Sequence, residues 1–202
     1  MHSSIYLASN SPRRRDLLRQ IGVRFDVLLF RTGARADADV DETAHPDEPA
    51  RDYVQRVALA KAEGGMRRVY WRHLPPHPVL AADTTIELDG AIIGKPADAA
   101  DAADILQRLS GRSHAVLTAI AVTDGERIDH RLNINTVKFR PLDADDIRRY
   151  IATGEPMDKA GAYGIQGRAA MFIESIQGSY TGIMGLPLYE TAALLSAFGL
   201  RL

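Results

Sequence analysis

A chain of 202 residues, 46% of them apolar, is long enough to bury a full core without a partner. With 25 Lys and Arg against 26 Asp and Glu the net charge is −1, which excludes the diffuse positive field behind most non-specific nucleic-acid binding and leaves only local anion sites. Cysteine is absent, which excludes disulfides and zinc–thiolate centres, restricts metal ligands to carboxylate, imidazole or carbonyl groups, and fits a reducing compartment.

In chain order, residues 5–8 predict a buried strand. The first 11 residues lack a basic flank and a long apolar core, so no signal peptide is expected, and no stretch reaches membrane-spanning length. Ser9, Asn10 and Ser11 are cap candidates before Pro12, a residue favoured at a first helical position. A helix should run to about Gln20, with Leu17, Leu18 and Ile21 inward and Gly22 as its stop. Residues 31–48 are polar, acidic and aperiodic and predict a loop; Pro49 opens a helix to about Glu63.

Prolines break the chain before a short buried strand at 79–82, which should deliver Asp83, Thr84 and Thr85 at its carboxyl end. A hairpin follows around Asp89-Gly90, because that dipeptide suits a turn with two positive φ values. A helix over about 99–110 gathers Ile105, Leu106 and Leu109 on one face and ends at Gly111. Two long strands, about 115–122 and 127–139, join at Asp124-Gly125, and an amphipathic helix follows over 143–153. A glycine-rich loop at 154–167, a strand at 170–173 and a closing helix at 187–198 complete the chain. The order predicts an α/β fold, one domain over residues 1–202, on a long mixed, partly antiparallel sheet.

Five constellations can carry chemistry. Arg13, Arg14 and Arg15 stand where a helix start already carries partial positive charge, so either an anion offsets them or they form a solvated basic end. Glu42 alone reads as solvation of an acidic loop. Lys61 shares a helical face with Val54, Val57 and Ala58, so it points into a cleft or snorkels. Asp83 closes a buried strand either as a ligand-binding acid or as a turn cap, and Lys95 after the hairpin reads alone as a surface turn residue. In the loop 157–167, glycines spaced by three let backbone approach a ligand while Asp158, Lys159 and Gln166 offer acid, cation and amide. Its Ala, Tyr and Ile content predicts a packed loop, and a Walker ending is missing.

Taken in order, Ser9-Asn10-Ser11-Pro12-Arg13-Arg14, Asp41-Glu42, Lys61, Ala82-Asp83-Thr84, Gly94-Lys95-Pro96, Leu109-Ser110-Gly111, residues 158–167 and Gly185-Leu186-Pro187 resemble the Maf family of nucleoside triphosphate pyrophosphatases. The resemblance implies a two-lobed α/β/α fold, like that of the inosine triphosphatases, around a central nucleotide cleft. It also implies a divalent metal, a nucleotide substrate and a homodimer; with the charge, the lack of cysteine and the lack of a long apolar stretch, a cytoplasmic enzyme without a stable nucleic-acid complex or membrane contact is expected. Asp83 matches the family's proton acceptor, and Arg13, Thr84 and Gln166 match the branch acting on dTTP and UTP. The stretch 67–78, with Tyr70 and Trp71, is bulkier than the family pattern.

The chemistry expected is cleavage to a monophosphate and pyrophosphate. Asp83 and Glu42 would hold Mg²⁺ or Mn²⁺ against the phosphates, and Asp83 would take the proton of the attacking water. Ser9, Arg13, Arg14, Lys61, Lys95 and Lys159 would bind or neutralise the triphosphate, and Gln166 and Thr84 would read the base. The alternatives are a nucleotide-binding regulator of cell division and broad housecleaning of modified nucleotides.

Overall fold

Alternation along one strand sets the layers. In β3 (Val79–Leu88), Val79 and Ala81 pack with Val54, Ala58 and Ala62 of the helix α2 (Ala50–Trp71) on one face of the sheet. Leu80 and Ala82 pack on the other face with Leu17 and Leu18 of α1 (Pro12–Gln20) and Leu194 and Leu195 of α6 (Leu188–Ala197). Further along that second face, Ile86 and Leu88 join Leu106 of α3 (Ala99–Leu109) and Tyr150 of α4 (Ala144–Ile151). One face thus carries a single long helix, and the other carries two separate apolar clusters bridged by Ile165.

The computed structural model describes residues 3–29 and 40–201, so residues 31–39 of the expected acidic loop lie outside the described residues. The remaining strands are β1 (Ile5–Leu7), β2 (Phe25–Val27), β4 (Ala91–Ile93), β5 (Ser113–Thr123), β6 (Ile128–Phe139) and β7 (Ile173–Gln177). They form one seven-stranded sheet in the order β2-β1-β3-β5-β6-β7, with β4 paired to β3 off that path. β1 is parallel to β2 and β3, and all other pairs are antiparallel. No helix among the described residues is long and apolar enough to cross a membrane.

Several expectations need correcting. Asp83 is not at a strand's carboxyl end: β3 continues unbroken to Leu88 because residues 79–87 pair with β5 throughout, and Thr84 and Thr85 are good strand formers. The helix expected to stop near Glu63 runs on to Trp71. Its glycines do not end it but let it approach the sheet: a Cβ at Gly65 would lie 2.7 Å from Val79 Cγ1 and 3.1 Å from Ala8 Cβ. The bulky stretch begins in its last turns, which leave Tyr70 and Trp71 exposed. The strand expected at 170–173 is a 3₁₀ turn (Arg168–Phe172) that buries Phe172 against Tyr150 and Phe139; pairing with β6 begins only at Ile173. Two short elements had no signal, β2 and α5 (Tyr180–Ile183).

Candidate active site

The sheet has a gap in one edge. β1 ends with Leu7 opposite Leu80, and β4 ends with Ile93 opposite Ile86. One is parallel and the other antiparallel to β3, so they run toward each other along the same edge and stop short. Among the described residues, no strand lies beside 81–85 on that edge. Each chain leaves its strand into this gap, bringing Ser9 and α1 from one side and Gly94-Lys95 from the other.

On the face carrying α1, Ser11 caps the helix by accepting from Arg14 N at 3.4 Å. The Arg14 side chain then turns to the gap. Its Nε donates to Gly185 O at 2.8 Å, Nη1 to Ser9 Oγ at 3.2 Å and Nη2 to Thr84 Oγ1 at 3.2 Å. Thr84 Oγ1 lies 2.9 Å from Thr118 Oγ1, which donates to Gly182 O at 2.8 Å. Burial pushes the Arg14 guanidinium below its ordinary value, Asp83 and Glu42 act against that, and Arg13 adds to it. A cation held fixed beside a like charge is an arrangement suited to an incoming anion.

Asp83 points to the opposite face. Lys61 Nζ sits 2.8 Å from Asp83 Oδ1 and 2.9 Å from Glu42 Oε2. The Lys61 and Asp83 side chains are only 14% and 11% exposed, so this lysine is paired and largely buried rather than snorkelling. The segment carrying Glu42 is fastened from α2. Arg56 donates to Thr43 O at 2.9 Å and Asp41 O at 3.3 Å and forms a two-point pair with Glu48, while Tyr53 Oη donates to Glu42 O at 3.0 Å. Arg56 holds the Glu48 carboxyl down at about 2. Burial, with Asp83 and Glu42 adding to it, pushes the Tyr53 phenol up to about 12.

Two carboxylate oxygens are gathered on one ammonium. Mg²⁺ commonly takes one or two protein carboxylates and fills its other positions with phosphate oxygens and water. Among the described residues no group of three His, Asp or Glu is placed to hold a metal. Asp83 and Glu42, both carboxylates and both held on Lys61, are of the chemical type such a cation takes.

The late loop reaches the same gap. Gly161 N donates to Gly94 O at 2.9 Å, and a Cβ at Gly161 would strike the Ile86 side chain. The packed loop expected here is found: Gly161, Ala162 and Tyr163 are buried, and Tyr163 Oη lies 2.8 Å from Nε2 of the buried His114. Burial pushes His114 down to about 4, so it is neutral near pH 7. Lys159 Nζ is engaged within the loop, by Asp158 Oδ1 at 2.6 Å and Glu155 O at 2.7 Å. The Asp158 carboxyl is held low chiefly by Lys159, with Arg13 contributing. Lys95 and Gln166 are exposed. The structure thus joins Ser9, Arg14 and Thr84 in one hydrogen-bonded set and Glu42, Lys61 and Asp83 in another. Arg13, Lys95, Lys159 and Gln166 lie on neighbouring segments; among the described residues no hydrogen bond or ion pair joins their side chains to either set, though the charge of Arg13 acts on Arg14. A separate groove lined by Asp52, Gln55, Arg56, Leu59, Glu63 and His130 contains none of the expected site residues.

Sequence reading missed Thr118, Tyr53 and Arg56. Thr118 had a usable signal, a lone hydroxyl within the apolar run Ala-Val-Leu-Thr-Ala-Ile-Ala-Val. Arg56 had none, because its partners, Glu48 and two backbone carbonyls, lie in a loop without periodicity.

The family described as Maf-like protein matches residues 4–198. The chain belongs to the Maf family. It is 68% identical over 200 residues to a protein of Aromatoleum aromaticum named dTTP/UTP pyrophosphatase, covering 98% of this chain and 97% of that one. Proteins of the same name from Dechloromonas aromatica and Cupriavidus pinatubonensis are 55% and 54% identical; the first match covers 98% of both chains and the second all of both. The Staphylococcus aureus Ham1 protein shares the fold, with a TM-score of 0.52 at 16% identity over 96% of this chain and 99% of that one. The Maf match spans both hydrogen-bonded sets and the late loop.

Proposed function

We propose that the chain hydrolyses dTTP and UTP to the nucleoside monophosphate and pyrophosphate in the gap beside β3. The observation that carries this reading is the pairing, across one strand edge, of an acid–ammonium set (Glu42, Lys61, Asp83) with a fixed guanidinium (Arg14). The names of full-length relatives at 54–68% identity support the substrates.

The triphosphate lies along the rim, with Arg13, Arg14, Lys95 and Lys159 neutralising its oxygens; Lys159 must exchange Asp158 for phosphate to do so. A water attacks the α-phosphorus, its proton passes to Asp83, and the bond from the α-phosphorus to the bridging oxygen breaks, releasing pyrophosphate. Lys61 orients the Asp83 carboxylate for this transfer. Mg²⁺ or Mn²⁺, held by Asp83 and Glu42, would supply charge neutralisation and acidify water. Gln166 reads the pyrimidine edge. Thr84 acts on the substrate through Arg14, since its hydroxyl is already shared between Arg14 and Thr118.

The family likeness further supports a homodimer in the cytoplasm, which sedimentation of the purified chain and cell fractionation examine. The test of function is pyrophosphate release from dTTP, UTP, CTP, GTP and modified triphosphates, with and without Mg²⁺. We expect dTTP and UTP to lead and chelation to stop turnover. Equal rates on all triphosphates, or none on any, would overturn the reading.

A further inference from the structure

Gln166 lies in a turn that is held far more firmly than an exposed surface loop requires. The turn runs from Gly164 to Gly167 and is closed by Gly167 N donating to Gly164 O at 3.0 Å. Two backbone donors bracket it, and both go to side chains outside it. Gly164 N donates to Tyr150 Oη at 3.3 Å, and Arg168 N donates to Glu155 Oε2 at 3.0 Å. The two acceptors are themselves joined, Tyr150 Oη donating to Glu155 Oε1 at 2.8 Å. Tyr150 is 3% exposed at the end of α4, in edge-to-face contact with Phe172. Burial, and then Glu155, push its phenol well above the ordinary value, so it stays a donor at working pH.

The glycines show how close this frame lies to the turn. A Cβ at Gly167 would overlap the Glu155 carboxylate, and one at Gly164 would lie 2.8 Å from Lys159 Cε. Ile165, beside Gln166, packs against both apolar clusters of that face. An ordinary surface turn needs none of these ties. A turn whose side chain must be presented to a ligand within a few tenths of an ångström does.

We propose that Tyr150 and Glu155 are positioning residues for base selection: through the backbone donors of Gly164 and Arg168 they fix the turn that carries Gln166. The proposal rests on Gln166 contacting the base, as argued above. Neither residue touches the nucleotide. Their removal lets the amide wander, which weakens discrimination between bases while Asp83, Lys61 and Arg14 keep their places.

The experiment is a double-mutant cycle read as base selectivity, the ratio of kcat/KM for dTTP to that for dCTP. Tyr150→Phe removes one acceptor and one donor. We expect the ratio to fall about tenfold, mostly through KM for dTTP, with kcat within about twofold. Amide exchange at Gly164 and Arg168 should become faster. Glu155→Gln, which keeps an oxygen for Arg168 N, should retain part of the selectivity and is the test variant if Tyr150→Phe does not fold. In a Gln166→Ala background, neither substitution should lower the ratio further.

Additive losses in that background, or a lowered Tm with selectivity unchanged, would overturn the proposal and leave a merely structural pair. Failure of the underlying reading is distinguishable: wild-type protein would then show no base preference to lose, or Gln166→Ala alone would leave the ratio intact.

Discussion

The two faces of β3 carry opposite kinds of chemistry. On the α2 face, Asp83 meets Lys61 and Glu42, two acids on one ammonium. One residue further on, Thr84 faces the other way and meets Arg14 and Thr118, a guanidinium among hydroxyls. A strand's two-residue period makes this separation unavoidable for adjacent residues. The two sets can serve one ligand only because the sheet edge is open at 81–85, where neither β1 nor β4 covers it. The gap is therefore as much a part of the site as the side chains, and each half can be broken separately.

The sharpest break is Asp83→Asn. It keeps shape and a hydrogen-bond acceptor but removes the base, so kcat should fall by about 10² to 10⁴-fold with nucleotide binding retained. Pyrophosphate release and equilibrium binding, measured together, check this. Arg14→Lys should act on the other half. A single ammonium cannot serve Gly185 O, Ser9 Oγ and Thr84 Oγ1 at the angles of a guanidinium fork. KM should rise by about 10²-fold, more than kcat falls, as steady-state kinetics on dTTP would reveal.

Acid should sharpen the contrast, because His114 lies on the Thr84 face, among Phe139 and Tyr163. Its folded pKa of about 4 lies below the ordinary 6.5, so the unfolded chain takes the proton first. Stability should fall as pH drops from about 6.5 and finish falling near 4, by on the order of 3 kcal/mol. Urea midpoints across that range should lose this slope in His114→Gln. The smallest effect is expected from Thr118→Val, which removes the hydroxyl between Thr84 and Gly182 O. It should cost about 1 to 2 kcal/mol of stability by denaturation and change turnover only a few-fold.

The layering was legible because apolar periodicity is a local property. The helices at 12–20, 99–109, 144–151 and 188–197 and the long strands at 113–123 and 128–139 all announce themselves that way. Asp83 was singled out as chemistry but given the wrong setting. Its neighbours Thr84 and Thr85 read as the end of a strand, and only pairing with β5, some 35 residues on, shows that the strand continues. The gap itself had no sequence signal, since it is the shortfall of two strands that never touch each other. Lys61 was ambiguous for the same reason: its partners lie 19 and 22 residues away, and helical spacing says which way it points but not what it meets. The tie from Tyr150 and Glu155 to the turn at Gln166 was invisible too, because it runs through backbone donors.

Gly65 gives the molecule a thickness gauge. Helix α2 rests on the sheet at a distance set by a missing methyl group, with Val79 Cγ1 only 2.7 Å from where that methyl would be. Val79 is β-branched and fully buried and has little freedom to yield, so any side chain at 65 must raise the helix. Lys61 stands one turn earlier on the same side of α2. A shim far from the substrate would therefore lift the ammonium off Asp83, and alanine at 65 would mistune the active site without touching any of its residues.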